Sequence, residues 1–331
     1  MATLVQLEDV RRAREEIAGR VRFTPLLPCE ELSAETRSQI AFKCENLQIT
    51  GSYKVRAAFT VLLRLSAQEK ARGAALSSSG NFAGAFAFAG RELGVRTTLV
   101  MMRKTSPFKA EKTRKYGGEV VFCDNRYEAR FETLDRLRRE RSLTVVNHLE
   151  NHDVIAGHGT IGLEIAEQFQ DVDVVVVPVS TGGLIAGVAT AIKGLSPRVR
   201  VIGVQPVGSN AASLSFRAGE VVRIPEAVTI CDALTATSPG PLPWEHMRHY
   251  VDDMVTVTDE EVTQAVAYLA ENAKLVVEPG GAVGVAALIR GHLGVTGRKV
   301  AVILSGGNVA PAPFARWILE REASRATKDG D

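Results

Sequence analysis

A chain of 331 residues is long enough to bury a large core and to divide into two domains. Its 40 basic residues nearly balance 38 acidic ones, which removes any electrostatic reason to expect nucleic acid or an anionic membrane as a partner. The longest strongly apolar run, 172–179, is broken by Asp173 and Pro178 and is too short to cross a bilayer.

Glu8 and Asp9 stand where a signal peptide would need a basic start and an apolar stretch. Cys29, Cys44, Cys123 and Cys231 lie far apart without paired spacing, which reads as reduced thiols in a cytoplasmic globular protein. Leu7, Val10, Ala13 and Ile17 recur at helical spacing and predict a surface helix over 4–18. Thr24-Pro25-Leu26-Leu27-Pro28 is extended, its prolines fixing the backbone. A strand over 40–44 then runs into a polar turn, and a helix begins near Ser52 with Lys54 in its first turn. Aligned peptide dipoles already place positive charge at a helix start. Lys54 is thereby nudged toward its neutral amine, the form that condenses with an aldehyde. A solvated surface lysine is the alternative.

Further strands are predicted over 74–78, 97–102, 120–123 and 143–147, with helices over 81–93, 107–116 and 127–140. The last helix carries both signs of charge in alternation, so it reads as a solvated face. The second half repeats the rhythm: helix 153–169, strand 173–179, helix 182–194 and strand 199–205. An irregular region follows to about 243, then helices 259–273 and 281–293, strand 299–304 and a polar helical tail from 315. Such alternation predicts an α/β architecture with mostly parallel sheets. The strands fall into two groups, which predicts a discontinuous large domain (1–68 with 150–331) and a small one (73–148).

Three strand ends carry chemistry. Ser77-Ser78-Ser79-Gly80-Asn81-Phe82-Ala83-Gly84 offers hydroxyls, backbone N–H groups and an amide to an anion or a carbonyl oxygen. Pro178-Val179-Ser180-Thr181-Gly182-Gly183-Leu184 is a phosphate cradle by physics: glycines admit close approach, and a helix start supplies free donors. Its glycine spacing is neither the dinucleotide fingerprint nor a P-loop. Ile303-Leu304-Ser305-Gly306-Gly307-Asn308 ends a third strand, at the edge where open α/β sheets collect ligands. His148, His152 and His158 lack the pattern of a zinc-hydrolase helix, and Asn151 and Gly157 read as loop, so no metal site is expected there.

Together these stretches resemble the pyridoxal-phosphate enzymes of the serine/threonine dehydratase and serine racemase group, known as fold type II. The resemblance runs from Thr24-Pro25-Leu26 to Asn308 and includes Glu45-Asn46-Leu47-Gln48, Gly51-Ser52-Tyr53-Lys54, Ser78-Ser79-Gly80-Asn81, Ile155-Ala156-Gly157-His158-Gly159-Thr160 and Val277-Glu278-Pro279-Gly280-Gly281-Ala282. It implies two open, mostly parallel twisted sheets with flanking helices, and pyridoxal 5'-phosphate in the cleft between the domains. It implies that Lys54 holds the cofactor as a Schiff base and then acts as acid and base. Asn81 would bond the ring hydroxyl, Tyr53 would lie beside the ring, and Glu278 would join the cofactor-binding residues. Ser180, Thr181, Gly182, Gly183 and Leu184 match the phosphate loop, with Ser180 and Thr181 where the family usually has glycines. Ser305 resembles the partner of the pyridine nitrogen. A hydroxyl cannot hold a pyridinium proton as a carboxylate would, so the ring is a poorer electron sink and elimination is favoured.

By the same resemblance, Ser78, Ser79, Gly80, Asn81 and Phe82 line the substrate site. Ser79 also stands where racemases keep the base opposite the lysine, and Arg130 where serine racemase has an arginine near its substrate. A homodimer is implied. Relatives that hold a divalent cation use a glutamate and an aspartate where this chain has Gln205 and Ala211, so indifference to chelators is expected. Three further departures fall around the pocket: Phe82 where histidine or a small residue is common, His148-Leu149-Glu150-Asn151 in place of Pro-Phe-Asp, and Ala233 after Asp232 in place of glycine. The implied activity is a dehydratase (ammonia-lyase) acting on a small β-hydroxy amino acid of the serine/threonine type, and the departures around the pocket point to a substrate bulkier than serine or differently substituted. A racemase, a β-replacement synthase and a retired cofactor-binding homologue are the alternatives.

Overall fold

The computed structural model describes residues 3–126 and 128–326. The first part of the chain forms α1 (Leu7–Glu16), β1 (Leu26–Pro28), α2 (Glu30–Thr36), β2 (Gln39–Lys43), α3 (Lys54–Arg64) and α4 (Ala67–Arg72). Next come β3 (Ala74–Ser77), α5 (Asn81–Glu92), β4 (Thr97–Met102), α6 (Pro107–Lys115), β5 (Glu119–Cys123), α7 (Ala129–Arg141) and β6 (Thr144–Val145). Then follow α8 (His152–Gln168), β7 (Val174–Pro178), α9 (Gly183–Leu195), β8 (Arg200–Pro206), α10 (Ala211–Ala218) and α11 (Pro241–Tyr250). The last are β9 (Asp253–Val257), α12 (Asp259–Glu271), α13 (Pro279–Ile289), β10 (Lys299–Ile303) and α14 (Pro311–Ala326).

The strands make two sheets. One has six strands in the order β1-β2-β10-β7-β8-β9, parallel throughout except for the antiparallel β1–β2 edge. The other has four parallel strands in the order β5-β4-β3-β6. Burial explains the composition of the central strands. Every residue of β7, Val-Val-Val-Val-Pro, is buried, because helices cover both faces of a parallel sheet. Helices α8 and α9 pack so closely that a Cβ on Gly187 would lie 2.6 Å from the Gly159 nitrogen, so only glycine fits.

Several elements depart from the sequence expectation. The region to 243 is not all irregular: it contains α10 and the start of α11, whose Pro-Leu-Pro opening hides a helix that tolerates proline only in its first turn. Edge strand β9 mixes half-buried and buried residues and lacks a long apolar run, so it was not legible. The strand expected over 143–147 pairs only at Thr144 and Val145. Gly157 lies inside α8, not in a loop. The start predicted for the charged helix, Tyr127, lies outside the described residues. Among the described residues no helix is long and apolar enough to cross a membrane.

Candidate active site

Three neighbouring strands of the large sheet, β2, β10 and β7, end on the same side and send their carboxyl-terminal turns toward one cleft. The β2 turn delivers Lys54, the β10 turn Ser305, and the β7 turn the residues Ser180 to Leu184. The small sheet contributes the turn after β3, which carries Ser78 to Asn81.

Backbone bonds fasten the first two turns together. Ser52 bridges Gly306, the Tyr53 N–H donates to the Ser305 carbonyl at 3.2 Å, and the Gly307 N–H donates to Gly51 O at 2.9 Å. Lys54 is the first residue of α3, where no side chain caps the helix. Its Nζ lies 4.4 Å from the Tyr53 ring centroid and 5.8 Å from that of Phe82. Burial pulls the Lys54 amine down to about 8, against the opposing pull of Glu278. A lysine so placed offers far more neutral amine near physiological pH than an ordinary lysine does, as nucleophile and base work require.

Glu278 opens α13 and is buried, its N–H bonded to Gly306 O at 3.0 Å. Burial lifts its carboxyl to about 7; Lys109 opposes the shift and Asp232 adds to it. Asn81 Nδ2 donates to Glu278 Oε1 at 2.6 Å. Asn308 Nδ2 donates in turn to Asn81 Oδ1 at 2.8 Å and to Thr50 O at 3.0 Å, and Lys112 Nζ donates to Asn308 Oδ1. This polar chain joins the two sheets. Ser305 is buried beside it.

On the small-sheet side, Ser78 and Ser79 are half-buried at the cleft wall. Thr105 Oγ1 donates to Ser79 Oγ at 2.8 Å. Ser78 Oγ accepts from the Gly80 N–H at 3.4 Å, closing a tight local turn. Phe82 is only 3 % exposed and packs against Phe86 and His148, with ring centroids 6.3 and 4.8 Å away. It both packs and faces the lysine. His148 is half-buried, and its imidazole is driven down to about 3, first by desolvation and then by Lys54 and Arg130. Arg130 lies at the start of α7, half-buried, and acts on His148 through its charge.

The glycine-rich turn fits a phosphate. Gly182 has φ +100°, a left-handed conformation that a side chain would strain, and a Cβ there would lie 2.8 Å from Met247 Sδ. Helix α9 begins at Gly183, and the Ser180 and Thr181 side chains are half-exposed beside its free N–H groups. Two buried groups within electrostatic reach of Lys54 have polar atoms with no protein partner: Glu278 Oε2, and both ring nitrogens of His158. Native interiors rarely leave such atoms bare, and a polar cofactor is what would satisfy them. The residues therefore suit pyridoxal phosphate: a lysine for its aldehyde, an aromatic wall, and a glycine turn on a helix start.

Three contributors were missed from the sequence: Thr105, His158 as a neighbour of the phosphate turn, and Asn308 as the link between sheets. Gln205, expected to replace a cation ligand, uses its Oε1 to accept the Ser213 N–H of α10 at 2.8 Å. Among the described residues, no group of three His, Cys, Asp or Glu could hold a metal ion.

Comparison with known proteins gives a consistent account. An L-threonine ammonia-lyase from Thermotoga maritima is 41% identical over 306 residues, covering 92% of this chain and 76% of that protein. The structure of maize serine racemase superposes with a TM-score of 0.90 at 31% identity, over 98% of this chain and 100% of that one. The T.th. threonine deaminase gives a TM-score of 0.87 at 35% identity, over 92% of this chain and 99% of that one. The model of the family described as pyridoxal-phosphate dependent enzyme matches residues 17–306, and the chain belongs to that family.

Proposed function

We propose that the protein is a pyridoxal-phosphate dependent ammonia-lyase that removes the β-hydroxyl of a hydroxy amino acid and yields a 2-oxo acid and ammonia. The observation that carries the reading is the half-buried Lys54 amine, lowered to about 8, set where three strand ends converge opposite the Ser78–Ser79 turn. When bound, the cofactor supplies an aldehyde and an electron-withdrawing ring. Lys54 takes the α-proton, Ser78, Ser79 and Gly80 orient the substrate carboxylate, and Asn81, Glu278 and Ser305 would hold the cofactor ring. The β-hydroxyl leaves as water with the proton that Lys54 took, and the freed enamine takes up water to give the 2-oxo acid and ammonia. The similar ammonia-lyase and deaminase support this reading.

The similar racemase motivates a second reading. Racemisation needs another group to deliver a proton opposite Lys54, and Ser79, tied to Thr105, is the candidate.

Phe82 bears on the substrate. A phenyl ring offers an apolar face and no hydrogen bond, and its neighbour His148 is neutral. This wall favours a β-hydroxy amino acid with a bulkier, less polar substituent than serine. Purified protein incubated with a panel of such amino acids should release 2-oxo acid and ammonia fastest from the bulkier ones. Phe82→His should move the ratio of kcat/KM values toward serine or threonine by about tenfold, as expected for one added hydrogen bond. Wild-type preference for serine or threonine over every larger substrate would sink the specificity reading. Enantiomer exchange without ammonia release would favour the racemase.

We further assign 1–68 and 150–331 to a large cofactor-binding domain and 73–148 to a small substrate-lining domain in a cytoplasmic homodimer. The dimer is supported by one surface: Phe23, Leu47 and Val276 are exposed, and bonds from Arg22 to Leu47 O and from Asn46 to Val276 O tie their segments together.

A further inference from the structure

His158 sits on α8, six residues into a helix that packs against α9, and is 1 % exposed. Its ring leans on Tyr53, with centroids 4.7 Å apart, and its Nδ1 would be 3.8 Å from a Cβ placed on Gly183. It therefore lies against the residue that starts α9. Both ring nitrogens are buried and neither meets a partner at good hydrogen-bond geometry; the one polar group that acts on the ring as a weak hydrogen-bond partner is the Gly183 backbone. A buried imidazole so poorly satisfied is costly, and a glycine-rich helix start is an anion site.

We propose that His158 is the side-chain ligand of the phosphoryl group seated on the Ser180–Leu184 turn, held in place by Tyr53. The inference rests on the cofactor reading and deepens it: the phosphate would be held by one imidazole N–H as well as by backbone donors. The groups that act on His158 are Lys54 and Arg56 of α3, His148 of the preceding loop, and the backbone of Gly183. Desolvation dominates, Lys54, Arg56 and His148 add to it, and Gly183 opposes it, so the imidazole is held well below its ordinary range. A dianionic phosphate reverses that balance. The imidazole takes a proton from solvent as the phosphate enters, and the pair becomes a charge-assisted hydrogen bond.

The test separates phosphate from ring by comparing pyridoxal phosphate with pyridoxal, which lacks the phosphoryl group. Dissociation constants are measured by fluorescence or equilibrium dialysis for wild type, His158→Ala and His158→Gln. Expected is a His158→Ala loss of about ten- to hundredfold for pyridoxal phosphate, the range for a hydrogen bond to a charged group, with pyridoxal little changed. Between about pH 7 and 9 a phosphate monoester is already dianionic. Over that range the wild-type preference for pyridoxal phosphate over pyridoxal should fall as pH rises. Titration of Lys54 affects both compounds and cancels in the ratio. His158→Gln should keep most of the preference, through its amide donor, and lose the pH slope.

An equal loss for both compounds in His158→Ala, or an unchanged ratio, would overturn the proposal and leave His158 a packing residue. So would a pH slope that survives in His158→Gln. Failure of wild type to bind pyridoxal phosphate at all would instead refute the cofactor reading on which the inference rests.

Discussion

A lysine becomes reactive here through its surroundings rather than its identity. The Lys54 amine is lowered to about 8 by burial, and only the neutral amine condenses with an aldehyde. The rate of pyridoxal phosphate attachment, followed by absorbance after mixing, should therefore climb about tenfold per pH unit below 8 and level off above it. Borohydride should then fix the cofactor on Lys54, and Lys54→Ala should retain none after reduction and denaturation. A flat rate from pH 6 to 9 would mean that the amine is not the titrating group. At this scale the sequence was informative wherever one local stretch carries its own chemistry, as in Tyr53-Lys54 or Gly182-Gly183. It was silent where a contact joins remote positions. Thr105 reaches Ser79 across 26 residues and Asn308 reaches Asn81 across 227, and no local pattern marks either.

Helix α3 is anchored by a buried charge network on its inner side. Arg56, two residues after Lys54, bonds Glu45 at 2.8 Å and Glu164 at 2.6 Å, and Lys43 bonds Glu164 at 2.5 Å. Thr24 Oγ1 donates to Glu45 Oε1 at 2.5 Å. Burial alone would raise the Glu45 carboxyl, but Arg56 and Lys43 win and hold it below its ordinary value. Because its folded-state value is depressed, Glu45 contributes stability above the ordinary carboxylate range, and that stability is lost as pH falls through the depressed value. Arg56→Met would strand Glu45 in the interior and leave Glu164 with Lys43 alone, and should cost about 3–5 kcal/mol in denaturant unfolding. Tm should fall with it, and cofactor retention should weaken as α3 loosens. An unfolding free energy within about 1 kcal/mol of wild type would show that the network is solvated after all. The helices and central strands were legible because apolar spacing and buried runs are local signals. Helix α11 and strand β9 were not, since their identity comes from the surfaces they pack against.

The whole molecule joins two sheets across one cleft, and its outer surface is uneven. Phe23 is 55 % exposed, Val276 51 % and Leu47 38 %. If this face is the homodimer contact, light scattering should give twice the chain mass, and Val276→Arg should shift it toward the single-chain value. A wild-type mass of one chain would discard the dimer. The α/β class was legible from alternation of strands and helices. The order of the six strands was not, because neighbours such as β2 and β10 lie far apart along the chain.

The two sides of the cleft are fastened by different kinds of bond. The lysine turn and the Ser305 turn are sewn together by backbone groups, at Tyr53 and Ser305 and at Gly307 and Gly51. Across the cleft the described ties are between side chains: Asn81 to Glu278, Asn308 to Asn81, Lys112 to Asn308 and Lys109 to Asp232. A backbone bond asks for no particular side chain, although Gly51 and Gly307 leave no room for one, whereas a side-chain tie vanishes with a single codon. The joint between the lysine turn and the Ser305 turn thus depends on backbone and on two glycines, while the grip of the small sheet depends on the identity of single side chains. Of the side-chain ties, the Lys109–Asp232 pair can change without touching any residue assigned to the cofactor, so the grip of the small sheet can drift there first.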